Sequence, residues 1–370
     1  MSQKNVVEVQ NLDVKFYTYA GVVEALDGVN LTLREGEILG LVGETGCGKS
    51  VTSLSILMLV PPPGRIEGGK IRFDKQGGAD ILRMNDASLR SMRGKDISMI
   101  FQEPRAYLNP VYTVEDQISE VMLVHRQVEF FSKAIQALQA RKSKGLELNV
   151  YRRLAKNPES RIGGFIGRFS RKRQFKDEVR NEVVRVLKSV EIPDPERVAH
   201  MYPHELSGGM AQRVVIAMAL ACYPTMLIAD EPTTNLDVTV QAQILNLVKQ
   251  LRDNFKSSIL YITHDLGVVA QVCDRVAVMY AGNVVETADV FELFGSPLHP
   301  YTRALLESIP RPGKAFKSIP GIVPSLINPL SGCRFRDRCP YAMEICLKVK
   351  PPFDEVKKGH FAACYLYGGS

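Results

Sequence analysis

The run Gly43-Glu44-Thr45-Gly46-Cys47-Gly48-Lys49-Ser50 constrains this chain more than any other feature. It follows a short apolar run, 38–42, and opens a helix-forming segment, 49–60, that stops at Pro61-Pro62-Pro63. A strand, a glycine-rich loop and a helix in that order make a phosphate cradle. The glycines let successive backbone N–H groups curl around an anion, and the helix N-terminus adds partial positive charge. Lys49 places a point charge on the β and γ oxygens of a nucleoside triphosphate, and the Ser50 hydroxyl can ligate Mg²⁺. Val51, next in the chain, is counted with the nucleotide-binding residues. A glycine-rich turn that arises without such a role has no reason to sit between a strand and a helix and to end in Lys-Ser. Cys47 is a small loop residue whose thiol would make the site sensitive to thiol reagents.

A second apolar run, 226–229, ends in Asp230-Glu231. In enzymes with a phosphate loop, an Asp at a strand end holds Mg²⁺, and an acid beside it can polarise the attacking water. Two solvated acids at a strand end is the bland alternative, and the phosphate loop elsewhere in the chain makes it the poorer one.

The rest of the pattern is an α/β chain. Short strands are expected at 6–9, 12–16, 29–33 and 70–73, then at 38–42, 97–101, 226–229 and 259–263, with a helix at 238–255. Alternation of buried strands and helices points to a parallel sheet. Helical periodicity at 114–124, 175–190 and 208–222 reads as a helical subdomain inserted before the strand at Met226. No apolar run approaches the ~20 residues of a membrane-spanning helix, and residues 1–9 lack the pattern of a secretory signal. The formal charge of +7 is uneven: residues 126–180 hold fifteen Lys/Arg against five Asp/Glu, a local +10, which leaves −3 elsewhere. This basic block, with the patch Arg161-Ile162-Gly163-Gly164-Phe165-Ile166-Gly167, is either a solvated insertion or a surface for anionic headgroups or membrane subunits.

Leu206-Ser207-Gly208-Gly209-Met210 decides among phosphate-loop families. Here the sequence resembles the ATP-binding cassette (ABC) family, whose signature reads LSGGQ. The family's other elements follow in order: Gln102 in Phe101-Gln102-Glu103-Pro104, Asn235-Leu236-Asp237, and His264 after the strand at 259–263. The resemblance implies a P-loop ABC nucleotide-binding domain, with a RecA-like parallel sheet, an N-terminal antiparallel β subdomain and a helical subdomain. It also implies a paired site, in which Ser207, Gly208 and Gly209 serve the ATP of an opposing subunit. Met210 departs from the family's Gln and leaves those three residues intact. By the same resemblance Glu231 is the general base, His264 clamps the γ-phosphate, and Ser50, Asp230 and Gln102 surround Mg²⁺. Gln102 also reports to the transport channel, and Asp237 communicates across the dimer. Phe16 or Tyr19 would stack on adenine; spacing to Ala25 favours Phe16.

The tail narrows the family. His299-Pro300-Tyr301-Thr302, Ala304-Leu305-Leu306 and the run Gly332 to Pro340 look like the C-terminal extension of dipeptide/oligopeptide importer ATPases, in particular the first ATPase subunit of such a system. This implies a domain at 1–295, with a helical subdomain at about 103–224 and the basic insertion at about 127–176, then an extension at 296–370. Cys333, Cys339, Cys346 and Cys364 are separated by five, six and seventeen residues, with no C-x-x-C pair, so a zinc ribbon is not indicated. Four thiolates can hold a [4Fe–4S] cluster, and relatives that this chain resembles carry one there; four buried free thiols is the alternative. The resemblance further implies a homologous second ATPase subunit, two transmembrane permease subunits and, indirectly, an extracellular or periplasmic solute-binding protein. The expected location is the cytoplasmic face of the membrane. Two other functions stay open, and on the first, a change of cargo alone, an ATPase subunit is silent. One is the same motor serving oligosaccharide or nickel import; the other is a soluble ABC ATPase acting on nucleic acid, against which the tail and the lack of long heptad arms argue.

Overall fold

The computed structural model describes residues 4–140, 173–234, 236–309, 318–329 and 331–368. Asn235, the patch 161–167 and most of the basic block lie outside the described residues. In chain order the strands are β1 (Asn5–Thr18), β2 (Gly21–Arg34), β3 (Ile38–Val42), β4 (Gly64–Phe73), β5 (Ala79–Asp80), β6 (Ile97–Ile100), β7 (Met226–Asp230), β8 (Ser258–Thr263), β9 (Arg275–Tyr280), β10 (Asn283–Asp289), β11 (Asp354–Lys357) and β12 (His360–Ala362). The chain forms two compact units. One holds residues 1–93, 225–231 and 245–370; the other holds 94–224 and 232–244.

In the first unit, Val7, Val9, Leu12 and Val14 are buried, and the strand that carries them pairs with β2 on one side and β4 on the other. The sheet runs β2-β1-β4-β5 and is antiparallel throughout. The expected strands 6–9 and 12–16 are one strand, because the register shifts between Val9 and Leu12 absorb a bulge without ending the pairing. The second sheet of this unit runs β11-β12-β10-β9-β3-β8-β7. β3 is parallel to both β8 and β9, and β7 is parallel to β8. Covered on both faces, Ile38, Leu39, Leu41 and Val42 are inaccessible to solvent, which is why β3 reads as an unbroken apolar run.

Parallel pairing places the functional ends on one edge. Val42 is in register with Thr263, and Asp230 with Ile262. The residues after each strand therefore emerge together, as is usual at the carboxyl edge of an α/β sheet. The helix after β3 spans Lys49–Ile56, shorter than the expected 49–60; Leu57 caps it and Met58 turns left-handed at φ 53°.

Antiparallel β9–β10 and β12–β11 complete the sheet, and the sequence reading missed them. The tail belongs to this unit: β12 pairs with β10, the Glu24 and Asn328 amides bond to the Leu326 and Val22 carbonyls, and Arg334 donates to the carbonyls of Glu24 and Ala281 at 3.1 and 2.5 Å.

Among its described residues the second unit contains the strand β6 and the helices Pro104–Tyr107, Val114–Ala140, Arg173–Ser189, Pro195–Val198, Gly208–Leu220 and the start of Val238–Phe255. The helix expected to end at 124 continues to 140 through a kink at Arg126, whose φ is −120°. Beyond the kink Phe130, Phe131, Ala134 and Leu138 are buried, and Phe131 and Phe175 meet with ring centroids 4.9 Å apart. The described start of the basic block thus lays one face into the core, at about 1.5–3 kcal/mol per buried phenylalanine, while Val128, Ser132 and Gln136 on its other face are exposed. Arg126 holds the kink. Its guanidinium donates to Glu182 at 2.7 Å, to Glu129 at 2.8 Å and to the Ala221 carbonyl at 2.8 Å.

Candidate active site

Gly43 has φ 156° and Gly48 φ 107°; a Cβ at Gly43 would collide with the Met279 carbonyl, and one at Gly48 would lie 3.0 Å from the Ala25 carbonyl. No other residue fits either position, so the loop closes around Lys49, which is 6% exposed. The Lys49 ammonium donates to the Gly43 and Glu44 carbonyls at 2.8 and 3.2 Å, folded across the loop that it serves. Thr45, Gly46 and Ser50 are exposed and Val51 is half-buried in the first turn of the helix. Cys47 is buried, and burial pushes its thiol up. The Lys49 ammonium lies 3.8 Å from the Cys47 Sγ.

Within the same unit, the Ser50 hydroxyl faces the Asp230 carboxylate at the end of β7 and favours its charged form. Burial pushes the Asp230 carboxyl up and Glu231 adds to that push, while Ser50 and Lys49 oppose it. A hydroxyl beside a carboxylate, held over a lysine, is an oxygen donor set for a hard cation, so Ser50 and Asp230 fit Mg²⁺. Glu231 takes a left-handed φ of 47°, and its amide donates to Ile262 in β8 at 2.9 Å. A non-glycine residue held there stores local strain of order 1 kcal/mol. The turn leaves the Glu231 carboxylate 3.1 Å from Nδ1 of His264, which follows β8. Four of the expected residues, Ser50, Asp230, Glu231 and His264, therefore meet at one sheet edge.

Phe16 and Tyr19 differ in availability. Phe16 stands opposite Val23 and Gly64, its ring edge 2.7 Å from where a Gly64 Cβ would be. Tyr19 lies in the turn after β1, fully exposed.

The second unit carries the remaining expected residues. Gln102 is exposed just past β6. Ser207 caps the helix Gly208–Leu220, its Oγ accepting the Met210 amide at 3.3 Å. Gly208 is exposed with open space around its Cα, whereas a Cβ on Gly209 would meet Val240 at 3.0 Å. Asp237 accepts the Val240 amide at 2.9 Å, a local cap at the start of Val238–Phe255.

In the tail, Cys333, Cys339, Cys346 and Cys364 line one pocket with Phe335, Met343 and Leu366. Burial pushes the thiol of Cys333 up to about 11 and raises those of Cys339 and Cys364. Acting against burial, backbone N–H groups near Phe335, Tyr341 and Leu366 favour the thiolates of Cys333, Cys339 and Cys364. Among the described residues no group of three or more His, Cys, Asp or Glu is arranged to hold a metal ion. The four thiols share the lining of one pocket.

Two functional contacts had no sequence signal. The Glu44 amide donates to the Tyr301 hydroxyl at 3.0 Å, and the Glu44 carboxylate receives both arms of Arg338. Tyr301 sits in the quoted tail motif, but nothing local ties it to a loop 257 residues earlier.

The family model for ABC transporters matches residues 26–234, and that for the C-terminal region of oligopeptide/dipeptide transporters matches residues 285–346. A probable peptide ABC transporter ATP-binding protein of Sinorhizobium fredii is 44% identical over 364 residues, covering 97% of this chain and 94% of its own length. The dipeptide transport ATP-binding protein of Bacillus subtilis is 43% identical over 367 residues, covering 98% and 95%. A dimeric bacterial ABC transporter cassette shares the fold, with a TM-score of 0.56 and 24% identity over 77% of this chain and 98% of that one. Among the described residues no helix is long and apolar enough to cross a membrane.

Proposed function

This chain belongs to the ABC transporter family, in the branch with an oligopeptide/dipeptide C-terminal region, and from that premise we propose that it hydrolyses ATP to power import of di- and oligopeptides. The observation that carries the catalytic reading is the Glu231–His264 pair, 3.1 Å apart, on the sheet edge where Ser50 meets Asp230. The peptide cargo rests on the tail and on the names of relatives, because a motor subunit does not touch what is carried; oligosaccharide and nickel cargo stay as alternatives.

In this reading Lys49 exchanges the Gly43 and Glu44 carbonyls for the β and γ oxygens when ATP enters. Ser50, Asp230 and Gln102 would hold Mg²⁺, which neutralises charge on those oxygens. Glu231 orients and deprotonates the attacking water; His264 steadies Glu231 and reaches the γ-phosphate. Tyr19 is the better adenine platform than Phe16, since its ring is free to stack and that of Phe16 is packed on Gly64. Ser207, Gly208 and Gly209 complete the ATP site of a homologous second ATPase subunit, with Asp237 at the shared surface.

Cys333, Cys339, Cys346 and Cys364 would hold a [4Fe–4S] cluster; the pocket that all four line supports this. Two permease subunits would anchor the chain at the cytoplasmic face of the membrane, with a solute-binding protein on the far side. The test is co-purification from membranes with assay of peptide-stimulated ATP hydrolysis. Permease subunits in the complex and stimulation by peptide are expected. Association with DNA instead, with no membrane partner, would replace this reading by the nucleic-acid alternative.

A further inference from the structure

The phosphate loop is held from outside by the tail. Gly43, Gly46 and Gly48 make the loop costly to order, because glycine loses the most backbone freedom on fixing. Glu44 sits between the first two of these glycines, and the tail grips it twice. Its amide is bound by the Tyr301 hydroxyl at 3.0 Å. Its carboxylate takes a two-armed bond from Arg338, at 2.8 Å from Nη1 and 3.1 Å from Nη2. A planar fork against a carboxylate fixes direction as well as distance.

Both gripping residues are themselves fixed. Tyr301 is fully buried, with its ring 4.6 Å from Tyr280 and 5.4 Å from Phe335. The Arg338 side chain is 4% exposed, with Nε on the Pro320 carbonyl at 2.8 Å and Nη1 on the Tyr280 hydroxyl at 3.2 Å. Its stem lies against Gly321, where a Cβ would come within 3.0 Å of Cγ. Such a rigid, buried arginine, extended to a glutamate in a glycine-rich loop, has a structural cost that a surface ion pair does not.

We infer that Tyr301 and Arg338 are positioning residues for the ATP site: by holding Glu44 they preset the phosphate loop, so that the tail sets nucleotide affinity. The inference rests on the reading of Gly43–Ser50 as an ATP cradle. The Glu44 amide is occupied by Tyr301 and the Cys47 amide by the Glu44 carbonyl at 3.2 Å, which leaves the amides of Thr45, Gly46 and Gly48 for phosphate. A loop ordered before ATP arrives loses less freedom on binding, which raises affinity without a new contact to the ligand.

The test measures the Kd for Mg-ATP of the full-length chain, and KM and kcat of the assembled complex, for Arg338→Gln, Arg338→Lys, Tyr301→Phe and Glu44→Gln. Arg338→Gln is expected to raise Kd and KM about tenfold, in line with loss of a charge-assisted hydrogen bond, with kcat falling less than twofold. Arg338→Lys keeps the charge and loses the fork, so it recovers part of the affinity. Arg338→Gln added to Glu44→Gln should weaken binding no further than the worse single change. Should Arg338→Gln fail to fold, Glu44→Gln breaks the same pair from the loop side. Unchanged Kd, additive penalties, or a loss confined to kcat would overturn the inference. Failure of the unaltered chain to bind Mg-ATP would instead overturn the cradle reading beneath it.

Discussion

The imidazole Nδ1 of His264 lies 3.1 Å from a carboxylate oxygen of Glu231, although the two residues follow different strands. The bond exists because Glu231 turns left-handed at φ 47° and its amide is tied to Ile262. A base oriented by a second group is the arrangement expected of general base catalysis. Glu231→Gln keeps shape and ATP binding and removes the proton acceptor; hydrolysis should fall by about 10²–10⁴-fold, with ATP retained on gel filtration. His264→Ala should lower kcat more than it changes Kd. Unchanged turnover in Glu231→Gln would remove it from the mechanism.

Tyr19 and Phe16 separate binding from folding. Base–aromatic stacking contributes about 1–3 kcal/mol, so Tyr19→Ala should raise KM for ATP about 5- to 100-fold and leave the melting temperature unchanged. Phe16→Ala should lower stability by about 1–3 kcal/mol through lost packing on Gly64. The reverse pattern, in steady-state kinetics and thermal melts, would return the adenine to Phe16.

In the helical unit Arg126 links Glu129 and Glu182. Burial alone would raise Glu182, but hydrogen bonding and charge from Arg126 outweigh it and hold the carboxyl below its ordinary 4.5. Hydrogen bonding from Arg126 brings Glu129 down to about 2. With both values lower in the folded state, the folded chain binds fewer protons. Their stabilisation is complete above pH 4.5 and is lost as pH falls from there towards 2. Glu182→Gln should cost about 1–3 kcal/mol at pH 7, measured by urea unfolding. The gap between variant and wild type should narrow below pH 4.5; a gap independent of pH would show that the charge is not what matters.

The four tail thiols give a prediction with a visible readout. Chain purified without oxygen should be brown and carry iron and sulfide, and Cys339→Ala should lose both. Removal of the iron should lower the melting temperature, since the four sulfurs line one pocket from four separate stretches of the tail. A colourless chain, purified anaerobically without iron or sulfide and as stable as the iron-treated one, would favour the free-thiol alternative.

Sequence made the catalytic edge legible because each part is local: Gly43–Ser50 is contiguous, Asp230-Glu231 end an apolar run, and His264 follows another. What it hid was long-range or gradual. The Glu44–Arg338 pair joins residues 294 apart, and no spacing rule reaches that far. Arg126 looked like the edge of a basic block, yet its charge is spent on Glu129 and Glu182 inside the helical unit. The strands β9 to β12 were missed because 275–289 is as apolar as a buried helix, and β11 and β12 are only four and three residues long. Composition marked the tail as distinct; hydrogen bonds to β2 and β10 place it in the first unit.

The signature glycine allows stability and catalysis to be driven in opposite directions. Gly208 opens the helix Gly208–Leu220 behind the Ser207 cap, is exposed, and has room for a side chain. An Asp there would favour the helix twice over, by replacing glycine and by placing a negative charge at the positive end of the dipole, together about 1 kcal/mol. The same charge would repel a γ-phosphate brought to those amides. Gly208→Asp should therefore unfold at equal or higher urea concentration, bind ATP at its own Gly43–Ser50 loop as before, and abolish hydrolysis at the site of the partner that the signature completes. The partner's turnover can be isolated by placing Glu231→Gln in the same chain. Loss of ATP binding by this chain alone, or full turnover in the mixed complex, would show that the signature is not lent across a dimer.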